Sequence, residues 1–153
     1  MAGLFTIGYE GATLESVLNE LAQADVTLVV DVRDNAWSRR PEFCRRRLEP
    51  TLAARGIAYR HERALGNPKA GRAAARAGDM AAYRAVMAAQ VSSAVGGEAL
   101  SLIARESERR GVALLCMERN PDMCHRSLVA EAAAATGAPK PCHLRPGGQL
   151  TLF

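Results

Sequence analysis

Two rhythms of apolar and polar positions divide this chain into elements. Residues 26–32, VTLVVDV, are almost continuously apolar and β-branched, the pattern of a strand covered on both faces. Residues 112–117, VALLCM, repeat it behind Gly111, and Phe5 to Gly8 form a shorter version. Residues 57–62, IAYRHE, make a weaker strand. Between these runs the apolar positions fall at helical spacing, as in Leu14, Val17, Leu18 and Leu21 behind a capping Thr13. Pro41 is placed to open a helix through Arg55, stopped by Gly56. Asp79 caps a helix through Val95, Gly96 and Gly97 break it, and a second piece follows from Glu98 to Arg110. Asn120 and Pro121 start the last helix, which ends at Gly137. Residues 66–79, rich in Gly, Ala and Arg, read as a mobile connection. The tail predicts a last strand, a turn over Pro146, Gly147 and Gly148, and a short hairpin return.

Strands alternating with helices predict a three-layer α/β fold, Rossmann-like, with a mostly parallel sheet and a short antiparallel edge at the C-terminus. No internal repeat and no domain boundary interrupts the pattern, so residues 1–153 are expected to form one domain. In such sheets ligands bind beyond the carboxyl ends of the strands. Three stretches dense in functional groups fall at those ends: Gly8-Tyr9-Glu10, Asp31 to Arg33, and Glu118 to Arg126. Their convergence marks a site.

Cys124, His125 and Arg126 stand in a row where the last helix opens. Free N–H groups and the helix dipole favour negative charge there. An arginine can hold a phosphate or carboxylate through two parallel hydrogen bonds. A cysteine can become nucleophilic, and a histidine can carry a proton near neutral pH. A structural reading stands beside this: Cys124 in the core, Arg126 paired with Glu118, and Asp31 neutralising Arg33. Standard motifs are missing. No cysteine is followed by arginine six residues later, GYEGAT is not GxGxxG, and neither GxxxxGK[ST] nor HExxH occurs. Cys116, Cys124, His125, Cys142 and His143 crowd the last 40 residues, yet without CxxC knuckles, and adjacent Cys-His pairs seldom both aim at one ion. No cofactor or metal ligand set is therefore predicted. A divalent ion stays open as an alternative, held by such residues or by Glu10, Asp31 and Glu118 with a substrate phosphate.

Composition narrows the picture modestly. Apolar content of 48% fits a folded chain, and no apolar run approaches a membrane span. Four cysteines show no disulfide-framework spacing and the N-terminus lacks a signal-peptide pattern, so reduced thiols and a cytoplasmic location are expected, with no membrane partner. The net charge of +4 helps recruit anions without implying nucleic acid. Six arginines do crowd residues 33–47.

The segments TIGYEG, VVDVRDNAWSRRPEF, GIAYRHERALG and LLCMERNPDMCHRSLVAE together resemble the bacterial domain of unknown function family 488, over Thr6 to His143. The resemblance rests on Gly8, Tyr9, Glu10, Asp31, Arg33, Ser38, Leu65, Gly66, Glu118, Cys124, His125 and Arg126, with His143 similar to a late family histidine. It implies a fold and a site but no assigned reaction. After Leu65-Gly66 the chain is rich in alanine and arginine, where the family often carries more glycine.

Two functional readings follow. In the first, a pocket takes a phosphorylated small molecule or nucleotide for hydrolase- or transferase-type chemistry. Arg33 and Arg126 grip the anion, Tyr9 stacks or hydrogen-bonds, and His125 with Glu118 or Asp31 handles protons. Cys124 is the candidate nucleophile, and Gly8, Glu10, Ser38 and His143 complete the ligand contacts. In the second, a nucleic-acid-binding module uses Arg33 to Arg47 along the backbone, with Tyr9, Trp37 and Phe43 as stacking faces. Whether the chain is an enzyme is left open at this stage.

Overall fold

The structure, a computed structural model, describes residues 2–147. Five strands, β1 (Gly3–Gly8), β2 (Val26–Asp31), β3 (Ala58–His61), β4 (Gly111–Cys116) and β5 (Cys142–Leu144), form one sheet in the order β3-β2-β4-β1-β5. Every pairing is parallel. Six helices cover it: α1 (Leu14–Gln23), α2 (Arg45–Ala54), α3 (Lys69–Arg76), α4 (Met80–Ser92), α5 (Ala94–Arg109) and α6 (His125–Ala135). The central strand β4 is buried at all six positions, which is why its sequence shows no polar alternation.

Strand alternation sorts the core into two faces. Ile7, Val29, Ala113 and Leu115 meet Val17, Leu18 and Leu21 of α1 and Leu48 and Leu52 of α2. Leu4, Leu28, Val30, Val112 and Leu114 meet Met87 of α4, Leu100 and Ile103 of α5, and Val129 and Ala133 of α6. The result is the expected three-layer α/β fold. No single helix among the described residues is long and apolar enough to cross a membrane.

Four local expectations are corrected. Residues 41–55 are not one helix: Pro41–Phe43 make a 3-10 turn, and α2 starts only at Arg45. Phe43 is pulled into the core and stacks on Tyr9, with ring centroids 4.3 Å apart. Residues 66–79 are not an irregular connection, since α3 lies within them. Arg72 anchors it, donating from Nη1 to Asp34 Oδ2 at 3.0 Å and to the Asn67 carbonyl at 2.9 Å. The break between α4 and α5 falls at Ser93, not at the glycines. Ser93 Oγ accepts from the Gly96 amide at 3.0 Å and caps α5, which is bent 75° from α4. Finally, Asn120 caps a 3-10 turn over Pro121–Met123, and Cys124 is the residue that caps α6.

At the C-terminus β5 joins β1 in parallel. The predicted hairpin return, with Gly148 of the predicted turn, lies outside the described residues. The register pairs Gly8 with Cys116 and Asp31 with Leu115, so the carboxyl ends of β1, β4 and β2 finish almost level. The site is built on that edge.

Candidate functional site

β2 delivers Asp31 with no exposed surface, and Arg33 follows it at 5%. Asp31 Oδ1 accepts from the Arg33 amide at 3.1 Å and from Nε at 2.8 Å, while Oδ2 accepts from Nη2 at 2.6 Å. The Tyr59 hydroxyl also donates to Oδ2. Both carboxylate oxygens are thus committed. Burial opposes the charge on Arg33, but the bonded Asp31 carboxylate outweighs it and raises the pKa of the guanidinium. Arg33 Nη1 donates to the Phe43 carbonyl at 2.8 Å and to Tyr9 Oη at 3.2 Å. Asp31 is therefore a brace for Arg33, and Arg33 in turn fixes Tyr9 and the loop carrying Phe43. Tyr59 takes part in this network without having stood out in the sequence. A tyrosine two residues before His61 on a weak strand carries no signal of its own.

Arg126 is fully buried, and its partners are carbonyls: Nη1 donates to Glu118 O and Nη2 to Arg119 O at 3.2 Å. Its Nε is buried without a partner. The sequence suggested a grip on an anion, or a pairing with the Glu118 carboxylate. The structure shows a clamp on the loop that leaves β4. Gly8 completes the clamp from β1. A Cβ there would stand 1.8 Å from Glu118 O and 3.0 Å from Arg126 Nη1, so only glycine lets the two strand ends close.

Four groups converge below that loop. Cys116 ends β4, Glu118 follows it, and Cys124 and His125 open α6; their ligating atoms all lie within 4.8 Å of one another. His125 Nε2 donates to the Val32 carbonyl at 2.6 Å, because a carbonyl can only accept. In the neutral ring this leaves Nδ1 as the acceptor, 3.8 Å from Cys116 Sγ and 3.9 Å from Cys124 Sγ. Glu118 Oε1 is 3.7 Å from Cys116 Sγ. A hydrogen bond shared with Cys116, together with burial, holds the Cys124 thiol well above the usual cysteine range. Burial, with Cys124, Cys116 and Glu118 beside it, pushes the Tyr83 phenol up to about 12.

Cys116, Glu118 and His125 form part of the wall of a cavity of ≈ 380 Å³, together with Tyr9, Arg33, Asp34, Asn35, Trp37, Asn67, Arg72 and Met117. A second cavity of ≈ 410 Å³ shares Tyr9, Trp37 and Met117 with it and adds Glu10, Ser38, Arg39 and Arg40. Trp37 and Met117 are 59% and 44% exposed at this shared mouth. Of the residues expected at the site, Tyr9, Arg33, Glu118 and His125 reach the first cavity, and Glu10 and Ser38 reach the second. Cys124 sits behind His125. His143 lies apart, on β5, with Nδ1 2.6 Å from Thr6 Oγ1. Asn35, Asn67 and Arg72 went unnoticed as site residues because they belong to a stretch read as loop and connection. The sequence raises Cys116 only as a metal ligand; it follows Val112 and Leu114 on one face of β4 and stands two residues before Glu118.

No curated protein and no solved structure matches the chain. One family model does match it, over residues 13–133. The span is narrower than Thr6 to His143 but retains the loop after β2, α3 and the whole Cys116 to Arg126 segment. Covering well over half of the sequence, that match places the chain in the family of the domain of unknown function DUF488.

Proposed function

We propose that this chain binds a phosphorylated small molecule of nucleotide type in the joined cavities at the carboxyl ends of β1, β2 and β4, and carries out hydrolase- or transferase-type chemistry on it. The observation that carries this reading is Trp37. A large aromatic side chain stands 59% exposed where two cavities meet, flanked by Met117 and by arginines. An exposed aromatic at a cavity mouth suits a flat ring, which stacks without needing a matched hydrogen-bond pattern. Arg72 and Arg39 are the cations with exposure to meet a phosphate. Arg33 is rigid and adds positive field from the wall. His125 and Glu118 are the groups placed to move protons. Arg126 acts on the ligand only through the loop it clamps.

Trp37 is the sole tryptophan of the sequence, so intrinsic fluorescence reports on this mouth alone. Titration with purine and pyrimidine mononucleotides is expected to quench it saturably, and inorganic phosphate to compete. Arg72→Ala should weaken binding about 10-fold, or ~1.4 kcal/mol. Absence of quenching and of thermal stabilisation by every mononucleotide would sink the reading. A response to a single-stranded oligonucleotide alone, steeply lost with salt, would shift the function to the exposed Arg45, Arg46 and Arg47 at the start of α2.

A further inference from the structure

We propose that Cys116, Cys124, His125 and Glu118 form a binding site for a thiophilic divalent metal ion of the zinc class. The inference stands on this cluster and is independent of whether a nucleotide binds above it; with the ion bound, His125 and Glu118 act as its ligands and not as the proton carriers of that reading.

Donor geometry is the first argument. A tetrahedral zinc with Zn–S of ~2.3 Å and Zn–N of ~2.0 Å holds a sulfur and a nitrogen roughly 3.5 Å apart and two sulfurs roughly 3.8 Å apart. The sulfur-to-nitrogen distances are 3.8 and 3.9 Å, and the Cys116 sulfur-to-carboxylate distance is 3.7 Å. The spacing thus leaves room for an ion among the four atoms. Cysteines that merely fill a core need no imidazole lone pair and no carboxylate turned toward them.

The surroundings prepare the ligands as well. His125 Nε2–H is fixed on the Val32 carbonyl at 2.6 Å, which sets the tautomer and aims Nδ1 inward; metal-bound histidines are held in this way. The Arg126 amide, at the opening of the 11-residue α6, donates to Cys124 Sγ at 3.5 Å and so fixes the sulfur in the cluster. Arg126 itself supplies an independent observation. Its guanidinium is fully buried and, among the described residues, hydrogen-bonds only to carbonyls, with no carboxylate in ion-pair range. An uncompensated buried cation is costly. Two thiolates and a carboxylate around a divalent ion carry a net charge of about −1, which offsets it.

The placement gives the ion an outlook on the cavity. Cys116, Glu118 and His125 line that cavity, whereas Cys124 closes the site from the core side. With two sulfurs and one nitrogen as firm ligands, the fourth position is held by Glu118 or yielded to water or a substrate oxygen. An exchangeable fourth position is the property that separates reactive from purely structural zinc sites.

Cobalt(II) titration of the chelator-treated, reduced full chain tests the site directly. One equivalent per chain is expected to give tetrahedral d–d bands and a charge-transfer band of two-thiolate intensity, both displaced by zinc. Cys116→Ser and Cys124→Ser should abolish the charge-transfer band or halve it with weakened binding, whereas Cys142→Ser, at the exposed cysteine on β5, should leave it intact. Because the first two positions are buried, a test without variants runs in parallel: mass spectrometry of thiol alkylation in the wild type. Zinc should protect Cys116 and Cys124 and leave Cys142 reactive. A folded wild type that gives no thiolate–cobalt band overturns the proposal. So does a band that keeps its wild-type intensity in both buried-cysteine variants, or one that depends on Cys142.

Discussion

At the scale of single residues, the site depends on a contact with no tolerance, that between Gly8 and the loop clamped by Arg126. A methyl group at position 8 would overlap the Glu118 carbonyl at 1.8 Å and press on Arg126 Nη1. Backbone cannot swing away as a flexible side chain can. Gly8→Ala should therefore lower stability by about 1–3 kcal/mol or more, read as a lower denaturant midpoint with an unchanged slope. The same variant should lose ligand response at Trp37, because Glu118 moves with its carbonyl. A midpoint equal to wild type would show that the clamp is softer than its geometry implies. The example also shows what was legible in the sequence. Gly8, Asp31 and the Cys-His-Arg row stood out as residues of consequence; the first two end strands and the row opens α6. Their roles were not legible, because each depends on a partner far along the chain. His125 is oriented by the carbonyl of Val32, 93 residues away, and Arg126 bonds backbone oxygens that have no sequence signature.

Elements were read best where burial dictates composition. β2 and β4 lie between two helical layers, with every position of β4 and all but Thr27 of β2 buried, so the apolar run is visible. Capping by side chains was harder to see. Two glycines side by side at 96 and 97 suggested a helix break, yet Ser93 makes the corner and both glycines lie inside α5. They differ in what they do there. A Cβ at Gly96 would stand 2.1 Å from the Gln90 carbonyl, so this glycine permits the 75° corner. At Gly97 nothing lies within 4 Å and the backbone is not left-handed. Glycine within a helix costs ~0.5–1 kcal/mol relative to alanine, so Gly97→Ala should stabilise by about that amount and raise the melting midpoint by a few degrees. Gly96→Ala should destabilise. The pair is read in one thermal denaturation series, and equal effects at both positions would mean that the corner does not require glycine. α3 was missed for the opposite reason: its Arg72 anchor on Asp34 crosses 38 residues, beyond the reach of local pattern.

For the molecule as a whole, the sheet order places β4 between β1 and β2 and, among the described residues, leaves β3 and β5 at the edges. Among those residues β5 has three positions and pairs with β1, whose carboxyl end carries Gly8. Its attachment couples an edge of the fold to the site through Thr6, which has no exposed surface and meets His143 at 2.6 Å. Partial burial, and then the positive charge of Arg126, lower the pKa of His143 from its ordinary value; Asp122 opposes them, and smaller contributions come from Arg145, which lowers it, and Glu131, which raises it. The unfolded chain therefore binds a proton at this position more readily than the folded one does. Stability contributed by neutral His143 is present above the unfolded histidine value of about 6.5 and is lost as pH falls from there toward the lower folded value. His143→Gln keeps a hydrogen-bonding partner for Thr6 but cannot titrate. Melting midpoints of wild type and variant should thus converge in their pH response above neutrality and separate below about pH 6.5, with the wild type falling further. If the two curves stay parallel down to pH 5.5, the acid response belongs to other groups and β5 is held by its backbone ladder to β1.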